Sequence, residues 1–225
     1  VPGVQTLAGR SVARNLSAPL KCSVSVGKVS LRPFASLRVD DIVVRDRSPY
    51  RADQSGRGRS PVDTVVHIHT LYATMSLKDL LVSRPYVNDS LQVVPHRSVH
   101  LRRIVIKGFD YNIAVESSTF PEVNVLRLLY DGLPPVSRPN APELFQVRRL
   151  TVSGAHITLR NFLEKKREYG GAGIRWDDMS LEGGFKAHNV RFEDNVITGV
   201  LDGCSGIERS GYRVHDLSGT FSIGR

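Results

Sequence analysis

The sequence contains very few cysteines and no long hydrophobic run. Its two cysteines, Cys22 and Cys204, lie far apart, and an isolated pair lacks the density of a disulfide scaffold. We expect both to be small buried hydrophobic side chains, with a disulfide between them as the alternative. Because no run of about 18 apolar residues occurs, no transmembrane helix is predicted within this stretch. The chain begins at Val1 without methionine, which suggests a fragment whose targeting segment has been removed.

Acidic residues are outnumbered by basic ones. The chain has 22 Asp and Glu against 31 Lys and Arg, which gives a net charge of +9 and a pI near 9.9. Because the arginines are scattered rather than clustered in one run, the charge favours an anionic partner without specifying it. Phospholipid surfaces, nucleic acid and acidic proteins all remain candidates. The hydrophobic content of 40% is enough for a core, and we expect a single domain over residues 1–225.

A ten-residue pattern occurs six times in the chain. It has apolar residues at positions one, three, six and eight, polar residues at positions four and five, and Gly or Asp at position ten. The last copy repeats only the first half of the pattern, and Gly219 stands there where an apolar residue is expected. The copies cover residues 37–46, 99–108, 145–154, 174–183, 185–194 and 212–221. Because their spacing is unequal, a regular solenoid with one repeat length is excluded.

The spacing of the apolar positions indicates bent strands. Steps of two place residues on one face of a strand, and the step of three between positions three and six would reverse the face unless an extra residue restores it. A β-bulge supplies such a residue together with a local bend. We therefore predict bent strands with one apolar face, each ended by its Gly or Asp. The alternative is two short strands joined by a tight polar turn, and both interpretations give a β-rich protein.

Other segments predict helices and a loop. Apolar spacing and capping residues predict an N-terminal amphipathic helix over residues 2–16 and short helices over 76–81 and 121–130. Residues 47–61 are rich in Ser, Arg, Gly, Asp and Pro, which predicts a mobile loop. The predicted fold class is mainly β, with bent, bulged and largely antiparallel strands that form a curved sheet or elongated groove.

No catalytic constellation is found in the sequence, and we predict a protein that is not an enzyme. The carboxylate pairs Asp40-Asp41 and Asp177-Asp178 occupy pattern positions that other copies fill with Arg-Arg, so they indicate a solvated edge rather than acid–base chemistry. His67 and His69 would share one strand face, as a metal pair requires, but no neighbouring residue in the sequence completes a ligand set. We therefore predict no metal and no cofactor.

Several segments resemble the AsmA-like superfamily, and within it the TamB-type translocation and assembly module proteins, especially their Bacteroidetes versions. The resemblance covers nearly the whole chain by pattern, and its most distinctive parts are the opening Val4-Gln5-Thr6-Leu7-Ala8 and the block Glu208-Arg209-Ser210-Gly211. It also includes residues 24–29, 37–46, 71–81 and 125–130. The loop at 47–61 departs from the family pattern, where a short connection is expected.

The resemblance implies a non-enzymatic periplasmic scaffold of the cell envelope, anchored in the inner membrane by a segment preceding Val1. Such proteins contribute to outer-membrane protein assembly with an outer-membrane barrel partner, and to phospholipid transport between the two membranes through an apolar β-groove. This chain would be the membrane-proximal portion, with phospholipid or another acyl-chain ligand as its partner and no nucleic acid expected. The candidate groove-lining residues are Trp176, Met179, Leu181, Val190 and Phe192.

Two further expectations follow from the residues. The basic composition supports an alternative function, a binding module for an acidic polymer such as nucleic acid, which would place arginines and exposed aromatic residues together on one face. In addition, Phe221 and Ile223 still alternate at the end of the chain. We therefore expect the sheet to continue beyond Arg225 in a longer protein, and the edge strand of the isolated chain either to fray or to pair with a second copy.

Overall fold

The computed structural model describes residues 22–32, 36–46, 64–75, 84–87, 93–96, 98–115, 124, 144–163, 173–193 and 196–223. The predicted loop at 47–61 and the predicted helices at 2–16 and 76–81 lie outside these residues, as does the helix at 121–130 apart from Asn124. Within the described ranges, no helix has the length and hydropathy needed to cross a bilayer.

Ten strands form the described part of the chain. Eight of them make one open sheet in the order β1-β2-β3-β6-β7-β8-β9-β10, and β4 and β5 make a separate hairpin. The mainly β fold is therefore confirmed. The strands are β1 (Cys22–Arg32), β2 (Ser36–Asp46), β3 (Thr64–Met75), β4 (Arg84–Val87), β5 (Val93–His96), β6 (Ser98–Val115), β7 (Leu144–Asn161), β8 (Asp178–Glu193), β9 (Val196–Glu208) and β10 (Arg213–Ile223).

The sheet is largely antiparallel, as predicted, with one exception. Strands β6 and β7 run parallel, with Ile106 beside Val152, while the other neighbouring strands of the sheet are antiparallel. A parallel pair needs a crossover of a dozen or more residues, and residues 116–143 provide one. No signal in the sequence distinguished this connection from a hairpin.

The apolar positions of the pattern align across the sheet. One row, which we call the central apolar row, takes one residue from each of the eight strands: Val29, Val39, Leu71, Ile106, Val152, Phe185, Cys204 and Leu217. Residues paired directly across neighbouring strands share a face. The neighbouring rows on the same face are also mostly apolar, so the sheet has one apolar face. The residues that alternate with them along each strand form the opposite, polar face.

Each strand keeps its apolar residues on one face because the alternation of its side chains between the two faces shifts by one residue at the same level as in its neighbours. We call such a line of shifts across the sheet a crease. At the first crease Asp41, Gly108 and Gly154 have positive φ angles of 57°, 70° and 62°, and they lie in register with one another across β2, β3, β6 and β7. Register shifts of the bulge type occur in β8 beside Asn189 and in β10 beside Asp216, which also have positive φ.

Two details of the predicted strands were wrong. Gly108, Gly154 and Gly183 do not end their strands, because β6, β7 and β8 continue past them. Gly108 and Gly154 have positive φ, and such a glycine bends the backbone without stopping the hydrogen-bonded ladder. In the copy at 174–183 the first half is not a strand, because Asp178 donates its N–H to the carbonyl of Arg175 in a turn and β8 begins only there.

At each crease two consecutive polar residues interrupt the alternation along the strand, as with Arg102-Arg103 and Arg148-Arg149. Among the described elements, contacts concentrate between hydrogen-bonded neighbours, so no second described layer covers the apolar face.

The block Glu208-Arg209-Ser210-Gly211 forms the tight connection between β9 and β10. The buried carboxylate of Glu208 accepts hydrogen bonds from the backbone N–H of Ser210 at 2.6 Å and of Ser180 at 3.3 Å. Arg209 bridges to β8 through Asp178 at 2.9 Å. Hydrogen bonds from Ser210 keep the pKa of Glu208 below its ordinary value of 4.5, although burial opposes this.

We expect Glu208→Gln to destabilise the fold by about 1–3 kcal/mol at neutral pH, because buried N–H groups lose a charged acceptor. Since the folded-state pKa is lowered, the contribution of the carboxylate is complete above pH ~4.5 and is lost as pH falls through the folded-state pKa. Urea unfolding of both proteins at pH 7 and pH 3 measures this. The exposed Glu182→Gln serves as the control, and an equal loss at both pH values would contradict the ionised cap.

Candidate functional site

Four of the five candidate groove residues lie on the apolar face of the sheet. Met179, Leu181, Val190 and Phe192 of β8 pair with Leu159, Ile157, Val147 and Phe145 of β7, all on the same face. Trp176 does not join them, because it lies in the turn before β8 with 71% of its surface exposed.

The packing of this face changes along its length. Val147 and Val152 are 3% and 5% exposed, whereas the face opens toward β8, β9 and β10. Phe192, Ile197, Leu217 and Ile223 there are 38–63% exposed. Clustered large apolar side chains that remain in contact with solvent are typical of binding surfaces.

Polar atoms also occur on the apolar face, at Tyr111, at Cys204 and at the buried Glu208, which pairs with Leu181. Tyr111 lies between Val66 and Ile157 in the row beside the first crease, stacked on Phe109 with 5.9 Å between ring centroids, and burial raises the pKa of its phenol. Cys204 has a free thiol in the central apolar row, between Phe185 and Leu217. Cys204 is only partly buried, so the expectation of a buried side chain is not met there, and because its thiol is free the alternative of a disulfide to Cys22 is wrong.

The polar face contains an arginine cluster at a second crease, where Arg102 and Arg148 lie in register with Asn189 of β8. Arg102, Arg103, Arg148 and Arg149 are all exposed and surround, with Thr74, a cleft of about 360 Å³. The parallel pairing of β6 and β7 brings the two Arg-Arg pairs together, since Leu101 lies beside Val147 and Ile104 beside Leu150. Among the described residues, none of the four forms an ion pair with a carboxylate.

The polar face also contains a group that the sequence did not predict as a unit. His67 and His69 of β3 lie on one face with ring centroids 4.1 Å apart, as the strand period requires. Asp110 of β6 lies directly across from His67, and its carboxylate is 3.0 Å from Nε2 of His69 and 3.5 Å from Nδ1 of His67. The acidic residue missing near His67 in the sequence is therefore supplied by a neighbouring strand.

No known protein family and no curated protein matches this chain in sequence. Its resemblance to AsmA-like and TamB-type proteins stays a prediction from the residues.

Proposed function

We propose that this chain is a non-enzymatic scaffold that binds acyl chains along its apolar face. The observation that supports this proposal best is the row of apolar residues across all eight strands, together with the exposed apolar side chains at its β8–β10 end, where Phe192, Ile197 and Leu217 are 38–56% exposed. Removing an apolar surface of this kind from water lowers the free energy of the system. An acyl chain is a ligand that can follow it without requiring polar partners.

The dimensions of the face suit an acyl chain. Seven gaps between eight strands, each 4.7–4.9 Å, give a central apolar row about 34 Å wide. One leaflet of a bilayer's hydrocarbon core is about 15 Å thick, so an acyl chain of ordinary length fits within the row. Each methylene buried there contributes about 0.8 kcal/mol, so a fully seated chain can offset the entropic cost of ordering it.

The setting of this activity follows from the resemblance and is part of the proposal. The chain would act in the periplasm as the membrane-proximal portion of a longer protein anchored in the inner membrane. Its groove would contribute to phospholipid transport between inner and outer membranes, to outer-membrane protein assembly with a barrel partner, or to both. The apolar face suits either cargo, because an unfolded outer-membrane strand also presents one apolar side.

A second candidate function, binding of an acidic polymer, is favoured by the arginine cluster. Four exposed guanidinium groups on two adjacent strands can contact consecutive phosphates. Aromatic side chains that would stack on bases are needed beside such a cluster. Phe145 and Phe192 lie on the opposite, apolar face, and Tyr72, on the polar face, already has the cations of Arg38 and Lys107 at 5.4 and 5.9 Å from its ring centroid. Electrostatic binding without base stacking is therefore the form of this function that the geometry supports.

Native mass spectrometry of the purified chain, with a nucleic-acid shift assay over a range of salt concentrations, separates the two functions. We expect co-purified phospholipid bound at defined stoichiometry, and nucleic-acid binding that is weak and lost between about 50 and 200 mM salt. Tight nucleic-acid binding at 200 mM salt without bound lipid would reverse the ranking and favour the arginine cluster as the functional site.

A further inference from the structure

We propose that His67, His69 and Asp110 form a binding site for a divalent transition metal on the polar face, with His156 as a fourth ligand. Two imidazoles come from β3, the carboxylate from β6, and the last imidazole from β7, so three adjacent strands converge on one point. Imidazole nitrogens with one carboxylate oxygen are a donor set that suits Zn²⁺ and the metals next to it.

The spacing of the donor atoms matches a shared ion. Ligand atoms about 2.0–2.2 Å from Zn²⁺ in tetrahedral geometry stand about 3.4 Å from one another. The carboxylate of Asp110 lies 3.0 Å from Nε2 of His69 and 3.5 Å from Nδ1 of His67, and one donor atom from each of these three residues lies within 4.8 Å of the others. Small rotations of the side chains would bring all three to bonding distance.

His156 is placed to complete the set. Its Nδ1 is 3.9 Å from the other carboxylate oxygen of Asp110, so three imidazoles surround one carboxylate. Its Nε2 lies 3.0 Å from the hydroxyl of Ser180, which can accept a hydrogen bond when Nδ1 binds the metal. Histidine ligands commonly donate their second N–H to an oxygen atom in this way, and that contact fixes the orientation of the ring.

Residues at the first crease leave space for the His69 ring and orient the His67 ring. The φ of Gly108 is +70°, and a Cβ atom at this position would lie 2.7 Å from the ring of His69, so the imidazole occupies space that only glycine leaves open. Across the same crease, Asp41 lies 3.6 Å from Nε2 of His67. Asp41 is therefore placed to orient the His67 ring while Nδ1 faces Asp110.

Solvent reaches the site, and the metal can enter without unfolding. The side chains of His69 and His156 are 53% and 42% exposed, while those of His67 and Asp110 are 26% and 32% exposed. The less exposed ligands, His67 and Asp110, would fix the position of the ion, and the more exposed His69 and His156 would bind it from the solvent side.

Isothermal titration calorimetry with Zn²⁺ on untagged, chelator-treated protein tests the site. We expect one ion per chain, a rise in Tm of about 5–10 °C at a hundredfold excess of Zn²⁺ over its Kd, and the visible absorption of tetrahedral Co²⁺ on substitution. Asp110→Asn and His69→Gln should each weaken binding by about a hundredfold or more. His156→Gln should weaken it about tenfold, and no loss there would remove His156 from the site.

His188→Gln is the matched control. His188 pairs with a single carboxylate, Asp202, on the same polar face, so this variant removes a His–Asp contact without touching the proposed ligands. Unchanged Zn²⁺ binding in the control supports the site. Equal losses in the control and in Asp110→Asn, or no saturable binding by the parent chain, would overturn the proposal. Circular dichroism confirms folding, and His69→Gln, at a half-exposed position, decides the matter if Asp110→Asn does not fold.

Discussion

Gly183→Ala should destabilise the sheet by about 2–3 kcal/mol, an effect in the range of overpacked interiors. Gly183 lies between Ala155 of β7 and Gly206 of β9. An added Cβ would stand 2.8 Å from Cα of Gly206, and closer still to the carbonyl oxygen of Ser205. Both atoms belong to backbone, so β8 and β9 would have to separate at the point where their glycines meet.

Urea unfolding followed by circular dichroism measures this loss in the free energy of unfolding. In thermal unfolding, Tm should fall by roughly 4–12 °C. Gly203→Ala is the matched control on β9, because a Cβ there meets no heavy atom within 4 Å. That variant should change stability by no more than about 0.5 kcal/mol. If the two variants unfold at the same urea concentration, β8 and β9 do not approach each other as closely as described.

The second large effect is expected on lipid binding. Phe192 and Ile197 are a cross-strand pair on the apolar face, and both are partly exposed, at 41% and 38%. The double variant Phe192→Glu/Ile197→Glu should therefore fold, but it places two carboxylates where an acyl chain would lie. Because burying an unpaired charge is costly, we expect the amount of bound phospholipid to fall at least tenfold, which corresponds to about 1.4 kcal/mol.

The neighbouring cross-strand pair provides the control. Arg191 and Thr198 lie directly beside the first pair but point to the opposite face, and Arg191→Gln/Thr198→Glu changes the net charge by the same amount, −2. The exposed ion pair of Arg191 with Glu193 contributes little to stability. Equal lipid loss in both double variants would mean that overall charge, rather than the apolar face, governs binding.

The sequence predicted the apolar face but not the order and direction in which the strands pair. The one-three-six-eight spacing of Leu37, Val39, Ile42 and Val44 was sufficient, because a strand with a crease must repeat that step to keep one face apolar. Whether a glycine such as Gly154 ends a strand or bends it depends on the neighbouring strands, which are not local in sequence. The interpretation as an end was therefore wrong.

The polar clusters depend on strand pairing, and this explains why the sequence did not predict them. The pair His67 and His69 was visible, but Asp110 joins it only because β3 and β6 are neighbours in one particular register. In the same way, Arg102 and Arg148 meet because β6 and β7 run parallel. Trp176 shows the opposite case: a pattern position predicted it on the face, but the turn before β8 keeps it off the strand.

The position of a bound lipid relative to the two faces tests the proposed acyl-chain binding most directly. Phe185 lies in the central apolar row, and the next residue, Lys186, is exposed on the polar face beside Thr151. The photoreactive residue p-benzoyl-phenylalanine, placed at either position in the full chain, can be activated in the presence of phospholipid vesicles and the adducts identified by mass spectrometry. We expect a phospholipid adduct from position 185 and none from position 186. Equal adducts from both positions, or an adduct from position 186 alone, would contradict the proposal.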